Sequence, residues 1–187
     1  MNIIGIDPSL TATGIIALQD GIIDLAQTTK NRPELDLHDR VRLIFEQINK
    51  VIQHPSITPD LIVIEGLSLH STGQGLDKTF YLGHRIREEL KRFKDSDHIP
   101  WIEVPPKQLK LFICNNGNAP KELMLKEVYK RWGVDFTSND LADAYSLARV
   151  GMAYLGEDSD LYAYQKAVIA SLKSEKPAKK TRKKVKE

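Results

Sequence analysis

The chain has a single cysteine, Cys114, among 187 residues. That excludes an intramolecular disulfide and any metal cluster built on several thiolates, and it fits a reducing compartment. No apolar run approaches the roughly 20 residues that a membrane-spanning helix needs, so no membrane partner is expected. The opening MNIIGID lacks the basic and apolar regions of a secretory signal. A cytoplasmic location follows as an expectation, the host cytoplasm if the source is viral. The five histidines, at positions 38, 54, 70, 84 and 98, lack metal-ligand spacing, and no internal repeat is evident. What is present is enough chain for one domain with a real core. Its charge is unevenly spread. Residues 173–187 carry eight Lys/Arg against two Glu, while the remainder carries 19 Lys/Arg against 23 Asp/Glu. We therefore expect a folded domain over 1–172 and a basic, disordered tail over 173–187. The tail reads equally as a phosphate-binding arm or a solubilising terminus.

Apolar runs and turn residues predict strands over 2–7, 14–20 and 22–28, a meander turning at Gly21. Asp36 is placed to cap a helix over about 38–53, where Val41, Ile44, Ile48, Val51 and Ile52 follow helical spacing. Residues 60–64 predict a fourth strand, apolar enough to be buried on both faces. A Gly- and Ser-containing loop over 66–76 precedes a helix over about 77–93. A fifth strand over 99–104 is closed by Pro105 and Pro106. Helices over 107–114 and 120–132 follow, then a long helix capped by Ser138 or Asn139, and a last helix over about 159–172. This order predicts an α/β fold: a five-stranded mixed sheet, an antiparallel three-strand meander plus parallel strands, flanked by helices.

The candidate chemistry lies at strand ends. The run Ile3-Ile4-Gly5-Ile6 stops at Asp7, and Ile62-Val63-Ile64 stops at Glu65. If these strands are parallel neighbours, both acids share one sheet edge, where open α/β sheets place ligands. Asp140 and Asp143, spaced i, i+3, share one helix face and are expected in the first turn, where the macrodipole favours ionised acids. Each signal has an ordinary structural reading: Asp7-Pro8 as a turn starter, Glu65 as a plain strand end, the helical pair as N-terminal charge. Together, four carboxylates without cysteine or a histidine cluster point to Mg²⁺, with Mn²⁺ able to substitute. Two such ions roughly 4 Å apart align water, phosphorus and leaving oxygen in phosphodiester hydrolysis.

These residues resemble the RuvC-type Holliday-junction resolvases of the RNase H-like superfamily, most closely phage-type members. The resemblance rests on Ile4-Gly5-Ile6-Asp7-Pro8 with Gly14, Val63-Ile64-Glu65, Pro106-Lys107-Gln108-Leu109-Lys110, Gly117-Asn118-Ala119-Pro120-Lys121 and Asp140-Leu141-Ala142-Asp143-Ala144, in family order across about 2–155. It implies a homodimer that binds four-way DNA junctions and makes paired symmetric cuts leaving 5′-phosphate and 3′-hydroxyl ends. Asp7, Glu65, Asp140 and Asp143 would be the metal-binding catalytic acids. Lys110 and Lys121 would be catalytic cations beside the scissile phosphate, where positive charge stabilises the transition state; without the resemblance they read as solvated helix charges. One position departs from the pattern: Ser68 stands where bacterial members carry an aromatic residue that opens the junction, leaving Leu67, Leu69 or His70 as substitutes.

The helix over 77–93 carries Leu82, Ile86, Leu90 and Phe93, with Phe80 and Tyr81 on neighbouring faces. The resemblance makes it a dimer seam; the structural alternative is packing on its own sheet. Arg85, Arg87, Lys91 and Arg92 are solvated charges or phosphate contacts. The competing functions are a broader fork or flap debranching nuclease, an RNA-processing nuclease and a non-catalytic junction-binding module. A further competitor is an actin-like or sugar-kinase-like ATPase, to which Gly5-Ile6-Asp7-Pro8-Ser9-Leu10-Thr11 is a partial match.

Overall fold

The structure is a computed structural model that describes residues 1–30, 32–67 and 75–174. Three strands open the chain: β1 (Asn2–Asp7), β2 (Gly14–Gln19) and β3 (Ile22–Thr28). Asp20 and Gly21, both at positive φ, make the tight turn between β2 and β3, the geometry that matches strand twist in short hairpins. Helix α1 (Leu37–Ile52) follows, capped as expected by Asp36, whose carboxylate accepts from the Asp39 N–H. Next come β4 (Leu61–Glu65), α2 (Leu76–Asp97) and β5 (Trp101–Val104). Four helices close the described chain: α3 (Pro106–Cys114), α4 (Lys121–Trp132), α5 (Asn139–Leu155) and α6 (Ala163–Ser174).

The sheet order is β3-β2-β1-β4-β5. β1 is antiparallel to β2 and parallel to β4, and β5 is parallel to β4. This is the expected mixed five-stranded sheet. β4 is buried from Leu61 to Ile64 because a core lies on each face. On one face α1 and α2 cover Ile4, Ile6, Ile15, Ile62 and Ile64. On the other, α5 covers Ile3, Ile16, Leu61 and Val63, with α3, α4 and α6 stacked around it.

Leu82, Ile86, Leu90 and Phe93 of α2 are buried in the first of these cores. The stripe therefore packs on its own sheet, while Phe80 and Tyr81 remain half-buried. Arg85, Arg87 and Arg92 are paired with Glu88, Glu103 and Glu89, and Lys91 is exposed.

Three differences from the sequence reading have local causes. β5 starts at Trp101 rather than residue 99, since Pro100 has no N–H for the ladder and contributes only its carbonyl, which accepts from Ile62 N. α6 starts at Ala163, because Gly156 at φ 92° ends α5 and an irregular stretch follows. Asp143 is the fifth residue of α5, so only Asp140 lies in the first turn. Ser138 occupies the cap position but makes no side-chain cap bond. Its hydroxyl lies 3.3 Å from an Asp140 carboxylate oxygen, to which it donates.

Helix α5 lies very close to the sheet. A Cβ on Gly5 would fall 2.0 Å from the Ala144 carbonyl oxygen and 2.7 Å from the Ala148 nitrogen. Backbone cannot give way as a side-chain tip can, so Gly5→Ala must push the helix off the strand. Overpacking of this kind costs roughly 1–3 kcal/mol or more, and about 1 kcal/mol corresponds to roughly 2–4 °C in a domain of this size. We expect Gly5→Ala to lower Tm by several degrees. Gly66→Ala, whose Cβ meets nothing nearer than 3.4 Å, should shift it by less. Equal shifts in differential scanning calorimetry would contradict this packing argument.

Candidate metal-binding acidic edge

The parallel pairing of β1 with β4 ends at Ile6 opposite Ile64, which delivers Asp7 and Glu65 side by side at the same sheet edge. Asp7 is buried, with 8% of its surface exposed; Glu65 is partly buried. The register Asp7↔Gly14 continues the edge into β2. There α5 arrives: a Cβ on Gly14 would sit 2.1 Å from the Asp140 carbonyl oxygen. The absence of side chains at Gly5 and Gly14 thus lets the first two turns of α5 bear directly on β1 and β2, bringing Asp140 and Asp143 to the edge.

The electrostatics couple the four acids. Burial raises Asp7 well above the usual carboxylate range, and the charges of Glu65, Asp143 and Asp140 raise it further, against a smaller pull from Lys121. Burial likewise pushes Glu65 up to about 7. Asp143 adds to that shift, while a hydrogen bond with Asp7 and the charges of Lys121 and Lys110 oppose it. Asp143 is raised, by burial first, with Lys121 and Lys110 opposing and Asp140 reinforcing. The two lysines reach the acids from separate helices. Lys110 is on α3, which starts directly after Pro105, and Lys121 is the first residue of α4, directly after Pro120. All six residues singled out from the sequence therefore act on one another's charge around one edge.

The loop between Asp7 and Gly14 is folded by its own hydroxyls. Ser9 N donates to Thr13 Oγ1 at 3.0 Å, Thr13 Oγ1 donates to the Ser9 carbonyl at 2.7 Å, and the Ser9 and Thr11 hydroxyls pair at 2.8 Å. Arg40 of α1 adds a bond of 2.8 Å to the Leu10 carbonyl. This wiring holds the backbone after Asp7, consistent with a strand end that must stay fixed.

Other candidates fall away from the site or beyond view. Ser68, Leu69 and His70 lie outside the described residues; Leu67 packs beside Gly83 of α2. Cys114 is half-buried, its Sγ 3.5 Å from Met124 Sδ, and burial pushes its thiol up to about 11. Trp101 and Trp132 each pack against one of the two cores. The tail was expected from residue 173, but α6 runs through Lys173 to Ser174; residues 175–187 lie outside the described residues. Among the described residues no helix is long and apolar enough to cross a membrane.

Four carboxylates with flanking lysines form a hard-oxygen donor set of the kind that divalent cations take. The desolvation and repulsion recorded on Asp7 and Glu65 are what such a cation relieves. Among the described residues, no three His, Cys, Asp or Glu side chains stand as they are in an arrangement that could hold an ion. Asp7 and Glu65 instead share a hydrogen bond.

The sheet order and the covering helices define an α/β protein with a mixed five-stranded sheet whose β1 and β4 end in acids. Comparison with known proteins takes this further. No family model matches the chain. Over 157 residues it is 28% identical to the crossover junction endodeoxyribonuclease RuvC of Synechococcus sp. (strain CC9605), covering 79% of this chain and 96% of that protein. The same-named protein of Carboxydothermus hydrogenoformans is 25% identical over 162 residues, covering 83% of this chain and 98% of that protein. Among solved structures, Thermus thermophilus RuvC in complex with a Holliday junction substrate matches with a TM-score of 0.65 at 19% identity, covering 84% of this chain and 97% of that one. The fold is thus that of RuvC, and the sequence resemblance to RuvC-type resolvases extends through nearly the full length of these relatives.

The raised acids give stability a definite pH dependence. The folded-state pKa of Glu65, about 7, exceeds its ordinary 4.5. Between those values the native chain binds more protons than the unfolded one, so stability falls as pH rises. Asp7 acts with the same sign. We expect the metal-free protein to lose Tm between about pH 5 and about pH 8, and Asp7→Asn to flatten that slope and raise Tm at the alkaline end. A divalent cation added at about pH 8 should restore Tm by mass action. Equal slopes in wild type and variant would contradict the assignment of the shifts to this edge.

Proposed function

We propose that this protein is a divalent-metal-dependent endodeoxyribonuclease that resolves four-way DNA junctions by paired symmetric cuts leaving 5′-phosphate and 3′-hydroxyl ends. The observation that carries this reading is the meeting of Asp7, Glu65, Asp140 and Asp143 with Lys110 and Lys121 at one sheet edge. RuvC relatives across most of the chain support it. The four carboxylates would hold the cation, Mg²⁺ by preference for hard oxygen donors, with Mn²⁺ able to substitute. When bound, the metal supplies an activated water and polarises the phosphoryl oxygen.

The protein's own residues do the rest. Asp7 and Glu65 end rigid strands, which fix a donor better than a loop does. Ser138 orients the Asp140 carboxylate by hydrogen bonding. Lys121 and Lys110 neutralise excess negative charge at the acids, bind the scissile phosphate and stabilise the charge that develops on its oxygens. A second copy of the chain would place an identical edge against the symmetry-related strand, so a homodimer is part of the proposal. Its place of action would be the cytoplasm, where DNA is accessible.

The test is cleavage of an end-labelled synthetic four-way junction in Mg²⁺, beside a fork and a linear duplex. We expect symmetric, ligatable cuts in the junction. Asp7→Asn should abolish cutting and retain DNA binding. Lys121→Ala should slow cutting by about 10²-fold or more, the scale for removing one preorganised electrostatic contact. Equal cutting of forks would replace the resolvase by a general debranching nuclease. Absence of cutting on all branched DNA would overturn the nuclease reading.

A further inference from the structure

The acid edge continues sideways into a cleft that the proposed chemistry does not use. In register, Asp7 pairs with Gly14, and Gly14 pairs with Thr28 at the end of β3. At roughly 4.8 Å between strands, the β3 end lies about 10 Å from Asp7. There, between the chain leaving β3 and helix α1, is a cleft of about 320 Å³ lined by Lys30, Arg32 and Arg40 together with Thr28, Leu10 and Gln47. Among the described residues no carboxylate lines it. Glu34 stands near it, paired with Arg32; a hydrogen bond from Arg32 is the main cause that holds the Glu34 carboxyl below its ordinary value, and the charge of Arg40 adds less. The Arg40 bond to the Leu10 carbonyl ties this cleft to the same loop that leaves Asp7. That loop's hydroxyls are engaged with one another, so the anion-binding capacity on this flank lies with the cations.

Resting on the nuclease reading above, we propose that this cleft is a backbone-phosphate subsite for the cleaved strand. A strand advances about 3.4 Å per nucleotide along the duplex axis, so about 10 Å places the bound phosphate roughly three nucleotides from the scissile one. Lys30 and Arg32 are its principal contacts. Phosphate contacts position the nucleic acid without reading its sequence, and this one fixes the register of the cut. Glu34 competes with the phosphate for Arg32.

The experiment uses the full chain carrying Asp7→Asn, which allows binding in Mg²⁺ without cutting. Affinity for a labelled four-way junction is measured against salt, with and without Lys30→Ala and Arg32→Ala together. Both side chains are exposed, so Tm should not change. The double variant is expected to bind at least tenfold more weakly at low salt and to lower the log–log salt slope by between about one and two. Glu34→Gln should tighten binding. Placing a neutral methylphosphonate at each position along the cleaved strand should reveal a sensitive position two to four nucleotides from the cut in the parent, and none there in the double variant. If the parent binds with the double variant's slope and the same methylphosphonate profile, the subsite is overturned and the nuclease reading stands. If wild type neither binds nor cuts branched DNA, both fall.

Discussion

The close seating of α5 on the sheet is the constraint on which the rest depends. Gly5 and Gly14 present bare backbone to the carbonyls of Ala144 and Asp140, at separations that no Cβ permits. Further along the same helix, Gly151 meets Ile3 and Val63 side chains where a Cβ would lie 2.7 and 2.8 Å away. The helix is thus drawn against β1, β2 and β4 along its length. It buries most of one sheet face and carries two acids to the edge where two strands deliver two more. Packing and chemistry are here one arrangement: loosening the contact at Gly14 moves Asp140 first.

This arrangement concentrates like charge in a desolvated place. Burial is the largest cause of the upward shift at Asp7, Glu65 and Asp143 alike, with neighbouring acids adding to it. A fold optimised for stability alone would not place four carboxylates there. Groups held against their solvation preference at the end of rigid strands mark this edge as a candidate functional site, and the cation belongs to the function proposed for it. Lys110 and Lys121 oppose the shift at Glu65 and Asp143 without cancelling it.

Much of the fold was legible because its signals are local. The apolar runs before Asp7 and Glu65, the Gly21 turn and the Asp36 cap each act within a few residues, and the elements they define were expected within a few residues of their observed bounds. The apolar character of residues 60–64 marked β4 as buried on both faces, whereas its parallel pairing with β1 entered only as a condition, which the register meets. What the sequence hid was convergence. Lys110 and Lys121 sit on different helices, and their approach to the acids depends on how α3 and α4 pack around α5. Without the family resemblance they read as solvent charges. The hydroxyls of Ser9, Thr11 and Thr13 fold their own loop through hydrogen bonds between residues two and four apart. Lys30, Arg32 and Arg40 carried no sequence signal, since they share a cleft only because β3 ends beside α1. The placement of Asp143 beyond the first turn of α5 turned on a helix start one residue before Asp140.

The central claim is that glycine-licensed contact between α5 and the sheet assembles a cation site. It is tested most directly by calorimetric titration of Mn²⁺ and Mg²⁺ into wild type and Gly14→Ala, with circular dichroism verifying that the variant remains folded. Our account predicts cation binding by wild type and at least tenfold weaker binding by the folded variant, because the added Cβ displaces the Asp140 backbone. Unchanged affinity in a folded Gly14→Ala protein, or absence of cation binding by wild type, would contradict it.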